Sequence, residues 1–169
     1  MNKIVIFKKI TILCIAIDKK DWSKAFLSQS QATSCFIKFV GDQKEQNWFL
    51  DVLYQMLLDL RRLARVADKA NEIKAIETKG KSDSFKGQSM LERAADIHMQ
   101  SFRTCVADNR TNQQDTKKWG ILFIVNQLFK IYFMINKLHL LKPLIRAVEA
   151  SELKNSFPLA QRITYVFLW

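Results

Sequence analysis

His98 and His139 are the only histidines of the chain, and Cys14, Cys35 and Cys105 its only cysteines. These are the side chains that could bind zinc, or supply a nucleophile with a base beside it. Their spacing supports neither. There is no Cys-x-x-Cys pair, and no Cys/His pair stands at zinc-ligand separation. His98 falls on an apolar helical face and reads as a core or boundary side chain. His139 follows "NKL" at a helix start, where it could donate to a backbone carbonyl or a phosphate, the structural role being the simpler. No serine, histidine and aspartate can be grouped into a triad. Gly41, Gly80, Gly87 and Gly120 stand alone, so no glycine-rich loop cradles a phosphate. Glu72, Glu77 and Asp83 fall in a loop-like stretch. No catalytic, cofactor-binding or metal-binding set emerges, and an enzyme is not expected. The scattered cysteines, odd in number and in apolar surroundings, read as reduced core thiols.

Cations are what the sequence offers instead. Lys and Arg number 27 against 16 Asp and Glu, for a net charge of +11. Such a balance suits a nucleic acid or an acidic protein; a basic solvated face explains it equally well. From Lys117 onward eight basic residues meet only Glu149 and Glu152, so the last third carries more than half of the net charge. Lys142 and Arg146 are four apart and share a helix face. Lys117, Lys118, Lys137, His139, Lys142 and Arg146 form the candidate patch, for RNA or DNA phosphates or for an acidic partner.

The elements that must position these residues read as helices. Hydrophobic residues make up 49%, with only four Gly and two Pro, which favours long helices over many short strands. Residues 4–17 read as a helix, although Ile and Val enrichment there also suits a strand. The same stretch imitates a signal peptide, but Lys8 and Lys9 split it and no small-x-small cleavage site follows. Asp21 can cap a second helix running to about Val40. From Trp48, Phe49, Val52, Leu53, Met56, Leu57, Leu60, Leu63, Ala64 and Ala67 make one stripe of a third helix, with Asp68 and Lys69 marking its end. Residues 69–87 read as the main loop. Ser89 and Glu92 form a capping box for a fourth helix, whose inner face is Leu91, Ala94, Ala95, His98, Phe102 and Cys105 or Val106. Asp115 is the expected N-cap of a fifth helix running to about Asn136. A short helix at 138–150 contains Pro143, and Pro158 suits the first turn of a last one.

"WGILFIVNQLFKIYF", residues 119–133, is apolar on nearly every side. It does not read as a membrane span, because Asn126, Gln127 and Lys130 sit at its centre and it is short of the roughly 20 apolar residues a span needs. A helix apolar all round is a buried helix. In a two-layer stack an inner helix touches its own partner and the pairs before and after, so Trp119, Leu122, Val125, Phe129 and Phe133 are expected to be buried. The fold class expected is all-α, with antiparallel helix pairs stacked at a roughly 35–45-residue period in the TPR manner. The closing "YVFLW" adds apolar surface without a polar cap, so the stack is expected to be incomplete at the C-terminus.

"KKWGILFIVNQLFKIYFMINKLHLLKPLIRA" (117–147) closely resembles the PCI domain-containing protein 2 family. So do "NWFLDVLYQMLLDLRRLARVAD" (47–68), "GQSMLERAADIHMQSFRTCVADNR" (87–110) and "SELKNSFPLAQRITY" (151–165). The resemblance runs from about Leu13 to Tyr165; residues 1–12 do not match, and 13–169 correspond to the helical-repeat region. It implies a helical array that leads, in the family, into a C-terminal winged helix absent from this sequence. It also implies a non-enzymatic interaction subunit of the second transcription-export complex, in the nucleus at the nuclear pore and also in the cytoplasm. The implied partners are a large mRNA-export scaffold protein, a small acidic subunit, and RNA or DNA, with no membrane and no cofactor. Because the family's chains are more than twice this length, a truncated form is expected. The alternative, resting on charge alone, is an autonomous basic nucleic-acid-binding helical module.

Overall fold

Side-chain caps open two of the helices as the sequence predicts. The Asp21 carboxylate accepts from the Lys24 N–H at 3.1 Å. Ser89 Oγ accepts from the Glu92 N–H at 3.1 Å while Glu92 reaches back to the Ser89 N–H at 3.3 Å. The computed structural model describes residues 2–43, 47–77, 88–110 and 114–168. These form α1 (Asn2–Asp18), α2 (Trp22–Asp42), α3 (Leu50–Glu77), α4 (Met90–Val106), α5 (Ile121–Met134), α6 (Leu141–Glu149) and α7 (Leu159–Leu168), with 3-10 turns at Lys117–Gly120 and Leu138–Leu140. No strand occurs among the described residues, and no described helix is long and apolar enough to cross a membrane. Ser89→Ala removes one half of the reciprocal cap. It is expected to cost about 1 kcal/mol and to lower the thermal midpoint by roughly 2–4 °C, read by circular dichroism.

Contacts between helices fix their directions. Ser23, early in α2, donates to Asn71 near the end of α3, and Phe39, late in α2, meets Phe49 just before α3. These two helices are therefore antiparallel. The N–H groups of Met90 and Leu91 donate to Asp68 at 2.9 and 3.0 Å, so α4 starts near the far part of α3 and returns. Lys137, just past α5, pairs with Glu92 in the first turn of α4, making that pair antiparallel too. Alternate helices run parallel. The Arg93 guanidinium lies over the Phe26 ring at 5.7 Å and Gly41 sits beside Thr104, aligning α4 with α2. Tyr54 stacks on Phe123 at 4.2 Å and Arg61 bonds Gln127 at 2.9 Å, aligning α5 with α3. Asn126 donates to the Gln161 carbonyl and Phe129 meets Tyr165 at 5.7 Å, aligning α7 with α5. One layer is thus α3, α5 and α7, and a second contains α2 and α4, as in a stack of helix pairs. Among the described elements α1 packs on α2 alone.

α5 lies in the middle. It contacts α3, α4, α6 and α7. Ile124, Val125, Leu128, Phe129 and Ile131 are all fully buried, and Leu122 very nearly so. At its start a Cβ on Gly120 would stand 3.2 Å from both Cys105 Sγ and Leu50 Cδ2, so any larger residue there would have to push these side chains of α3 and α4 aside. Trp119 is half-buried, with its ring edge-on to Phe157. Phe133 departs from the expected enclosure: it is 46% exposed and its neighbour Met134 38%. With half-buried Lys130 they form a flank of α5 that the other described helices leave partly open, while Phe123, further back, is closed over by Tyr54 of α3.

Three boundaries differ from the sequence reading. α3 continues through Lys69 to Glu77. The stretch after Asp68 is rich in strong helix formers (Ala, Lys and Glu), which extend a helix whose inner stripe has already ended; only 78–87 of the expected loop remains, outside the described residues. Thr116, not Asp115, caps the turn leading into α5, its hydroxyl accepting from the Lys118 N–H at 3.2 Å. α5 ends at Met134, where Asn136 takes a positive φ of 55°, a conformation asparagine tolerates. Pro143 sits in the first turn of α6, where its missing N–H breaks no helical bond.

Candidate interaction surfaces

The six basic positions of the predicted patch are not brought together. Lys117 and Lys118 precede α5, while Lys137 follows it, and the 14 residues between span about 21 Å. Lys117 is buried rather than offered to a ligand: its ammonium donates to the Gly41 carbonyl at 3.3 Å and its N–H to Asp108 at 2.7 Å. Lys118 is half-buried. Lys137 is matched by Glu92 at 2.6 Å, and the hydrogen bond from Lys137 is the main cause holding the Glu92 carboxyl below its ordinary range. Only His139, Lys142 and Arg146 remain as an exposed basic group.

The connector between α4 and α5 is a clasp. Asp108 accepts from the Lys117 N–H and the Thr116 hydroxyl, and pairs with Arg110 Nε at 3.2 Å. Burial raises the Asp108 pKa, but those hydrogen bonds and the charges of Arg110 and Lys117 outweigh it, and the carboxyl titrates below its usual range. Arg110 also donates to the carbonyls of Asp115 and Gln43, tying the connector to the end of α2. The open cleft beside this clasp, lined by Gly41, Thr104, Asp108, Arg110 and Lys117, has its cations already engaged.

The histidines and cysteines divide. His98 is fully buried, with Nδ1 2.7 Å from the Ala94 carbonyl. Burial drives its pKa down to about 4, so the ring is neutral with its proton on Nδ1. Cys105 is buried and its thiol is pushed up to about 12 by burial. Cys14, by contrast, is exposed on α1 and Cys35 half-buried, so the cysteines are not all core thiols. Among the described residues no three His, Cys, Asp or Glu side chains are grouped as a metal ion requires.

α7 presents an unusual pair of faces. Its inward face carries Tyr165 and half-buried Gln161 and Thr164. Asn126 Oδ1, Gln161 Oε1 and the Tyr165 hydroxyl are buried there without a hydrogen-bond partner among the described residues. Its outward face carries Leu159, Ile163, Val166 and Phe167, the first 67% and the last 87% exposed. Spaced at four, three and one, these four make a single helical stripe. The sequence reading expected an uncapped apolar surface at the closing "YVFLW"; the structure shows that it runs back along α7 to Ile163 and Leu159.

Comparison with known proteins agrees with the layered helices. No protein-family profile matches the chain, and no solved structure is significantly similar to it. A PCI domain-containing protein 2 of Danio rerio is 45% identical over 152 residues, which cover 90% of this chain and 36% of the relative. A PCI domain-containing protein 2 homologue of Drosophila melanogaster is 41% identical over 153 residues, again 90% of this chain and 36% of the relative. A protein CSN12 homologue of Mycosarcoma maydis is 28% identical over 84% of this chain and 32% of its own length. The chain therefore spans about a third of the length of these relatives. Over nine-tenths of its own residues it is a homologue of the PCI domain-containing protein 2 family, built as a stack of helices.

Proposed function

We propose that this chain acts as a non-enzymatic scaffold subunit of the nuclear mRNA-export machinery, the second transcription-export complex, by offering stacked helices to other proteins. The partners proposed are a large mRNA-export scaffold protein and a small acidic subunit. The site of action proposed is the nucleus at the nuclear pore, with a cytoplasmic pool. The observation that carries this reading is the outward stripe of α7: four large apolar side chains on one exposed helix face are a docking surface in a helix stack. Homology to PCI-domain proteins supports it.

Affinity purification of the tagged chain from nuclear extract tests the proposal. The expected result is recovery of an mRNA-export scaffold together with a small acidic protein. Val166→Glu with Phe167→Glu places charges on the docking stripe and should abolish that recovery while circular dichroism stays unchanged. Equal recovery with the double variant would refute α7 as the docking face. Recovery only of complexes unrelated to mRNA export would overturn the assignment itself.

A further inference from the structure

A second basic surface is assembled by α3 and α5 together. Arg61, Arg62 and Arg65 occupy adjoining positions of α3. Arg61 Nε is fixed on Gln127 Oε1 at 2.9 Å. Lys130, three residues beyond Gln127, adjoins it on α5. Because the two helices are parallel, one further turn sets Arg65 level with Lys130. Arg62 and Arg65 are exposed, Arg61 and Lys130 half-buried. One carboxylate is close: Asp59 lies 4.0 Å from Arg62 and also accepts from Gln55. Arg61, Arg65 and Lys130 have no carboxylate partner among the described residues.

Cations are thus packed against cations. Burial lowers the Arg61 pKa, and the charges of Arg62 and Arg65 lower it further. Burial likewise lowers that of Lys130, with the Arg61 charge adding to it. Half-buried like charges without a counter-ion cost free energy that a bound anion relieves. Past Lys130 the surface continues into Phe133 and Met134, both exposed at the end of α5. Phosphates would engage the cations and leave the Phe133 ring open. An acidic peptide would do the same. A single-stranded nucleic acid uses both, since it brings phosphates along its backbone and base faces for an aromatic ring.

We infer that Arg61, Arg62, Arg65 and Lys130, with Phe133 at their end, form a binding site for single-stranded nucleic acid, the cations holding phosphates and the phenyl ring stacking on a base. This site goes beyond the scaffold reading and does not depend on it. It is also distinct from the dispersed patch around Lys117, Lys142 and Arg146.

The test uses the whole 169-residue chain and a fluorescein-labelled oligouridylate RNA, with anisotropy measured across a salt series. Arg65→Glu with Lys130→Glu should weaken binding at least about tenfold and flatten the log–log salt slope by roughly 1.4, two phosphate contacts at about 0.7 each. Phe133→Ala should weaken binding about tenfold with the slope unchanged, as loss of one stacked base does. Lys142→Glu with Arg146→Glu makes the same charge change on α6 and should leave affinity within about threefold. Circular dichroism confirms each fold, and Arg65→Gln with Lys130→Gln replaces the first pair if it unfolds. Equal losses for both charge-reversed pairs would reduce the effect to net charge and overturn the site. So would an unaffected Phe133→Ala, or no binding at low salt. Displacement of the RNA by poly-glutamate as readily as by unlabelled RNA would mark an acidic-protein surface and likewise reject the proposal.

Discussion

Phe129→Ala is expected to lower the unfolding free energy by about 3–5 kcal/mol, the range for emptying a phenyl ring's place in a closed core. Phe129 is fully buried on the central helix, and its ring lies 5.7 Å from that of Tyr165 on α7. Truncation therefore opens a void next to an interface whose buried polar atoms have no partner among the described residues. Domains commonly have only about 5–15 kcal/mol of total stability, so the variant should have a much lower urea midpoint or fail to accumulate folded. Phe133→Ala supplies the contrast. It is the same substitution one turn further along the same helix, at a side chain 46% exposed, and should cost less than about 1 kcal/mol. If the two variants lost stability equally, the enclosure of α5 by α3, α4 and α7 would be wrong.

Mild acid should weaken the fold through His98. Its folded pKa is depressed to about 4 by burial, against an ordinary value of 6.5. The unfolded chain therefore takes up the proton first. Stability is whole above pH 6.5, falls as pH drops, and levels off near pH 4, where the buried ring protonates as well. At about 1.4 kcal/mol per pH unit, the loss across that window is on the order of 3 kcal/mol. Urea midpoints between pH 7 and 5 read the upper part of it, about 2 kcal/mol, above the range where most carboxylates titrate. His98→Leu should flatten the profile there, whatever its cost at neutral pH; an unchanged slope would assign the dependence elsewhere. Below that window Asp108 takes over with the same sign. Its carboxyl is held below the usual range, so the α4–α5 clasp survives until lower pH and then loosens.

What could be read from the sequence was what depends on nearby residues. The capping box of Ser89 and Glu92, the Asp21 cap and the stripe of α3 up to Ala67 are all set by side chains within a few positions of one another. The burial of Leu122, Val125 and Phe129 followed from a helix apolar on nearly every side. Phe133 belonged to the same apolar run, and only the placement of neighbouring helices shows that its flank is left partly open. The basic patch failed for a related reason. Lys117 and Lys137 are close along the chain, yet a rigid helix keeps them apart, and Lys117 is used inside the fold. Arg61 and Lys130 are far apart along the chain, and the parallel register of α3 and α5 brings them together. Neither helix alone records that register. The uncapped apolar surface at the closing residues of α7 was legible, but its extension back to Leu159 was not, because the inward face mixes Gln161 and Thr164 with Tyr165 and Leu168.

The one-sided packing of α1 sets the order in which the molecule comes undone. A helix held by a single neighbour can detach without disturbing the rest, whereas α5 cannot move before several others have. The polar seam beneath α7 loosens the opposite flank in the same way. Amide protons should accordingly exchange with solvent soonest at the two ends and last along Ile124–Ile131. Within this stretch of chain, α1 and α7 come away first and α5 holds longest.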